Sequence, residues 1–145
     1  MRSIEKIEWD PKYSVDIEEI DIHQKKMFEL FNQLIDADKS ENDCKGCINI
    51  ISDINEYCKL YFTTEERYLR KKGYPDLAAH ARAHRKFIRN AISLRREISE
   101  NIANLTDDVI MELRDWLINH IVKLDSNYVP FLRIAKYIEE SKHKK

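Results

Sequence analysis

His80 and His84 stand one helical turn apart, so two imidazoles project side by side from a single helix. That spacing lets one helix place two nitrogens on one metal ion. Tyr61 and Glu65 repeat it earlier in the chain with a phenol and a carboxyl. His120 and Asp125 are five positions apart, which on a regular helix separates them by about 140°; both turn inward only if the helix widens between them. His23 adds a fourth imidazole from the N-terminal part of the chain. Four imidazoles, two carboxylates and a phenol are too many ligands for one ion with an open position. They fit two ions with the carboxylates bridging, and the mixed nitrogen and oxygen donors suit iron or manganese better than the thiolate-rich sites of structural zinc.

The positions of these residues make the case stronger than their types. His23 falls in a stripe with Ile20, Met27, Leu30 and Leu34, and Tyr61 and Glu65 fall in one with Cys47, Ile51, Ile54, Cys58 and Tyr68. His80 and His84 share a stripe with Leu77, Phe87, Ala91, Leu94 and Ile98, and His120 shares one with Ile110, Leu113, Leu117 and Leu124. Each stripe has the 3–4 spacing of one buried helical face. Burying that many polar groups unpaired would cost roughly 2–7 kcal/mol each, more than a marginally stable domain can absorb. They therefore need partners, and a metal supplies them.

The elements that must carry these stripes are four helices. The first runs from about Ile17 into the late 30s, and the polar stretch Asp38 to Asp43 separates it from a second, about Lys45 to Lys72. Gly73 sits where a helix-ending glycine belongs, and Pro75 with Asp76 opens a third helix to about Ser99. Thr106, with Asp107 and Asp108 behind it, caps a fourth. Pro130 predicts a bend near Asp125 to Tyr128 and then a short amphipathic segment carrying Phe131, Ile134 and Ile138. Four such helices with short connections predict an all-α, antiparallel up-down-up-down bundle, preceded by an extended segment around Trp9, Pro11 and Tyr13 and forming a single domain over 1–145.

Composition agrees and excludes alternatives. The 145 residues include only 2 Gly and 3 Pro, where an average chain of this length carries roughly 17. A many-stranded sandwich or barrel needs more turns than that. The 25 basic and 26 acidic residues are evenly spread, which argues against a nucleic-acid partner or a membrane-binding basic face. No apolar run approaches the roughly 18 residues of a membrane span. Cys44, Cys47 and Cys58 are an odd number of thiols with no export signal, which predicts a reducing, cytoplasmic location. Cys44 and Cys47 form a C-x-x-C with no strand beside it and no second pair, so they are read as ordinary cysteines. Cys58 is read as core filler, Phe62 and Trp116 as walls of the metal layer, Glu66 and Arg67 as solvated, and His143 as part of the Lys142 to Lys145 tail.

The chain also resembles the hemerythrins, in particular the single-domain bacteriohemerythrins. The likeness runs through Ile7, Glu8, Trp9 to Tyr13, Ser14, Val15; Ile20, Asp21, Ile22, His23, Gln24; Tyr61, Phe62, Thr63, Thr64, Glu65, Glu66; Gly73, Tyr74, Pro75 with His80 and His84; and Trp116, Leu117, Ile118, Asn119, His120, Ile121 with Asp125. It implies a non-haem centre of two iron ions, bridged by carboxylates and oxo or hydroxo, that binds O2 for carriage, storage or sensing. By position it assigns His80, His84 and His120 to one iron, Glu65 and Asp125 to the bridges, and His23 to the second iron. At the place of the family's remaining ligand histidine this chain has Tyr61. As a phenolate ligand, Tyr61 lowers the formal charge of the centre by one and favours Fe(III). As a phenol it is a hydrogen-bond donor beside an under-coordinated iron, and as neither it is a buried filler. The first case raises a contrasting function, redox turnover of O2, peroxide or nitric oxide with an unidentified reductase. The last raises a metal-poor or mono-iron bundle.

Overall fold

The structure is a computed structural model that describes residues 4–39 and 44–143. Residues 40–43, within the polar connection expected over Asp38 to Asp43, and the Lys144 and Lys145 end lie outside the described residues, as do the side chains of Cys44 and His143. The helices are α1 (Glu18–Lys39), α2 (Cys44–Lys72), α3 (Leu77–Glu100), α4 (Asp107–Asn119) and α5 (Ser126–His143). Among the described residues there is no strand. The core of α1 packs on α2 and α4, and α2 packs on α3, which is the four-helix bundle that the stripes predict. No helix among the described residues is long and apolar enough to cross a membrane.

The ends of the helices follow local chemistry. Gly73 has φ +73°, a left-handed conformation that costs a side-chain-bearing residue about 1–2 kcal/mol. Its N–H bonds to Arg70 O at 3.1 Å and that of Tyr74 bonds to Leu69 O at 3.0 Å, so two otherwise orphaned carbonyls at the end of α2 are paired. A Cβ at Gly73 would meet nothing within 4 Å. Backbone conformation, and not space, therefore selects glycine there. At the start of α4 the Thr106 hydroxyl accepts from Val109 N–H at 3.2 Å. The N-terminal segment is not extended throughout as expected: Pro11–Tyr13 form a short 3-10 helix capped by the Asp10 side chain, and the segment is tied down by Asn32, whose side chain accepts from Ile7 N–H (2.8 Å) and donates to Ile7 O (2.9 Å).

Between α4 and α5 lies the widened turn that His120 and Asp125 demanded. Residues His120–Asp125 form a π-helical turn, and both end residues are buried. A π turn carries one extra residue, so a five-residue step there does the work of a four-residue step in an α-helix. The expected bend at Pro130 is not a break: Ser126–His143 follows the π turn without interruption as an 18-residue helix with Pro130 inside it. Exposed Val122 lies within the widened turn. Deleting it should restore an α turn and leave metal content near wild type, whereas inserting an alanine after it should turn Asp125 away and abolish binding. Metal analysis with helicity from circular dichroism checks both variants, and loss of metal in the deletion alone would contradict this account.

Candidate metal centre

α1 contributes His23, α2 contributes Tyr61 and Glu65, α3 contributes His80 and His84, and the π turn contributes His120 and Asp125. All seven are buried, and Tyr61, Glu65 and Asp125 are 0% exposed, so bulk solvent does not reach their polar atoms. One ligand atom each from Glu65, His80, His84 and His120 lies within 4.8 Å of the others. The Nε2 atoms of His80, His84 and His120 approach Glu65 Oε1 at 2.6, 2.9 and 3.6 Å. Asp125 Oδ1 lies 3.3 Å from His80 Nε2 and 3.1 Å from His120 Nε2. The Nε2 atoms of His84 and His120 are themselves 3.1 Å apart. Three imidazole nitrogens thus aim at one space between two carboxylates.

Tyr61 and His23 form the other side of this layer. The Tyr61 hydroxyl donates to Asp125 Oδ2, and its ring stacks on His23 with centroids 6.3 Å apart. His23 is not one of the four clustered candidate ligands. Its Nδ1 is 2.8 Å from the Tyr57 hydroxyl. His23 Nε2 and His120 Nδ1 are buried without a hydrogen-bond partner among the described residues, whereas Asp125 Oδ1 has only its contacts with the His80 and His120 imidazoles. Each unpartnered atom costs about 1–3 kcal/mol. Binding a cation through His23 Nε2 relieves one of them and gives Asp125 Oδ1 a further partner, so the donor set fits the metal pair that the sequence implies.

Electrostatics inside the layer are those of two carboxylates balanced by imidazolium. Burial alone would raise Glu65, but the His120 imidazole 3.6 Å away and hydrogen bonds from His80 and His84 outweigh it and hold the carboxyl well below its usual range. Burial works to lower His80 and His120, yet hydrogen bonds and charge from Asp125 and Glu65 lift them to about 10 and about 9. Burial, then the negative charges of Asp125 and Glu65, push the Tyr61 phenol well above its ordinary value. His23 is moved down by burial, with Glu19 opposing.

Four further residues complete the arrangement. Tyr128 donates to Glu65 Oε2 at 2.8 Å; it lies one turn after Asp125, a spacing that could have revealed it. Tyr57 and Gln24 reach His23 and Asp125. Glu66 is a correction to the sequence reading: its Oε2 lies 2.8 Å from His84 Nδ1 and its side chain is only 24% exposed. Charge patterning along one helix places Glu66 on the outer face, but α3 covers that face. A carboxylate on Nδ1 keeps the proton there and directs Nε2 to the cluster. Phe62 stacks on His84 (3.9 Å, 6°) and Trp116 on His120 (4.9 Å, 15°), so both wall the layer as expected. Cys58 is fully buried and donates to Asn55 O at 3.1 Å.

Comparison with known proteins agrees with this geometry. Residues 15–132 match the Hemerythrin HHE cation binding domain. The chain is 33% identical to a bacteriohemerythrin of Methylococcus capsulatus, over 77% of this chain and 85% of that protein. It is 27% identical to a myohemerythrin of Theromyzon tessulatum, over 86% and 92% of the two chains. A crystal structure of wild-type hemerythrin superposes with a TM-score of 0.79 at 28% identity, covering 86% of this chain and 95% of that one. The buried His/Glu cluster, the four-helix bundle and these relatives lead to one conclusion: the chain belongs to the hemerythrin family, the bundles that carry a non-haem di-iron centre and bind O2.

Proposed function

We propose that this chain binds O2 reversibly at a di-iron centre held by His80, His84 and His120 on one side and by His23 and Tyr61 on the other, with Glu65 and Asp125 between. The observation that carries the reading is the convergence of three imidazole nitrogens on Glu65 Oε1, beside buried polar atoms that lack partners. When bound, a ferrous pair supplies the electrons that O2 binding draws on. The chain contributes the rest. Glu65 and Asp125 offset part of the cationic charge, Tyr128 and Gln24 hold those carboxylates, and Phe62 and Trp116 close the three-histidine side. Tyr61 must give up its proton to ligate. Burial and two carboxylates oppose that in the metal-free chain, and a cation held beside it would favour the phenolate. Redox turnover and a metal-poor bundle are the readings that the family relationship and the buried ligand set do not favour.

The same reading treats 1–145 as one domain, since the N-terminal segment packs on α1 through Asn32. It places the protein in the cytoplasm, on the odd number of cysteines in the chain, and it calls for a reductase that returns an oxidised centre to the ferrous state. Optical titration of the reduced protein with O2 tests the function. A spectrum that forms with O2 and reverses under vacuum is expected. Fewer than about one iron per chain after anaerobic reconstitution would sink the di-iron reading. A broad visible band in the oxidised protein that Tyr61→His lacks assigns Tyr61 as a ligand, and the variant should then autoxidise more slowly.

A further inference from the structure

Gln24 follows His23 in α1 and is fully buried. Its Nε2 lies 3.3 Å from Asp125 Oδ2, and its Oε1 lies 3.0 Å from the indole Nε1 of Trp9. An indole N–H can only donate and a carboxylate can only accept, so these two neighbours decide which way the amide faces. Trp9 is itself anchored. The Asn32 side chain pairs both backbone groups of Ile7, and the Lys25 ammonium sits 4.3 Å from the Trp9 ring centroid. Turning the amide over would set oxygen against carboxylate and N–H against N–H. Its orientation is therefore fixed from outside the metal layer, by a segment more than a hundred residues from Asp125 in the chain.

We propose that Gln24 is a positioning residue of the metal centre: it orients the Asp125 carboxylate so that Oδ1 faces His80 and His120, and through Trp9 it makes the N-terminal segment part of the centre. The proposal rests on the reading that Asp125 ligates metal. Side-chain chemistry at position 24 is narrow. Glutamate would set a second carboxylate against Asp125, while methionine, close in volume, would leave the buried carboxylate one donor short and the indole without an acceptor. Groups that hold a ligand from behind in this way typically change metal affinity by about 10–100-fold when removed.

The test uses the full chain loaded with ferrous iron under anaerobic conditions, with affinity read by chelator competition and the midpoint potential of the loaded protein read alongside. Affinity should fall about 10–100-fold in Gln24→Met. It should fall in the same direction in Trp9→Phe, which removes the indole N–H and keeps an aromatic ring. Gln24→Glu should move the midpoint to lower potential, because a further anion beside Asp125 favours Fe(III). A role confined to packing would lower the melting temperature of the metal-free chain and leave the midpoint unmoved. Affinities within about twofold of wild type in both Gln24→Met and Trp9→Phe overturn the proposal; if Gln24→Met does not fold, Trp9→Phe decides by the same criterion. Asp125→Ala separates the two levels. Retention of wild-type affinity there removes the ligand reading itself, whereas loss there with none in the position 24 and 9 variants removes only the role of Gln24.

Discussion

Glu65→Ala should remove roughly 3–5 kcal/mol from the stability of the metal-free chain and abolish iron binding. Glu65 is 0% exposed and accepts from His80, His84 and the Tyr128 hydroxyl. Without it, imidazolium charge is left against a single carboxylate in a region that water does not reach. Tyr128 loses its acceptor in the same step. The loss is large beside a total stability of about 5–15 kcal/mol. Glu65→Gln keeps the volume and one acceptor oxygen but no charge, so it should be the milder change for folding and nearly as severe for iron. Denaturant unfolding of the iron-free proteins, with iron analysis after reconstitution, measures both. An alanine variant within about 1 kcal/mol of wild type would show that the carboxylate is not the partner of the buried imidazoles.

Alkaline pH should weaken the metal-free chain and strengthen iron binding. Folding lifts His80 from 6.5 to about 10 and His120 from 6.5 to about 9. Between those limits the folded state holds protons that the unfolded state has lost. The contribution of these two groups is therefore complete below about pH 6.5, declines as pH rises, and is gone above about pH 10. Glu65 acts at the acid end. Its carboxyl is held below 4.5, so its contribution is present above that value and is lost as pH falls through the depressed range. Metal-free stability should thus be greatest between about pH 4.5 and 6.5. Ligation requires the Nε2 atoms without their protons, so iron loading releases protons, and ferrous affinity should rise by up to ~100-fold per pH unit between pH 7 and 9. Thermal unfolding of both forms, and chelator competition at two pH values, measure these effects. An alkaline loss of equal size in iron-loaded and iron-free protein would contradict the coupling.

Much of this centre was legible before any coordinates, for a geometric reason. Spacing along one helix fixes direction, so the pairs His80/His84 and Tyr61/Glu65 were readable as neighbours. The misfit of His120 and Asp125 to a regular helix was itself informative and forecast the π turn. Gly73 and Thr106 were readable because helix ends depend on a few adjacent residues. Glu66 was misread because its partner belongs to α3, and no spacing within α2 shows which outer position a neighbouring helix covers. Gln24 was visible only as part of a motif, and its role waited on Trp9 and Asp125 arriving from opposite ends of the chain.

By itself, the sequence determined the all-helical class, the inward stripes, the seven candidate ligands and the likeness to hemerythrins. All of these follow from the constant 3.6-residue period of a helix and from residue types at fixed separations. Only the tertiary structure decided which atoms meet: that Glu65 Oε1 faces three imidazoles, that Tyr61 and Gln24 share one oxygen of Asp125, and that His23 stands apart from the four clustered ligands. Those distances depend on how far apart the helices pack and how each is rotated about its axis. Both are set by the fit of whole side chains across interfaces between helices distant in sequence.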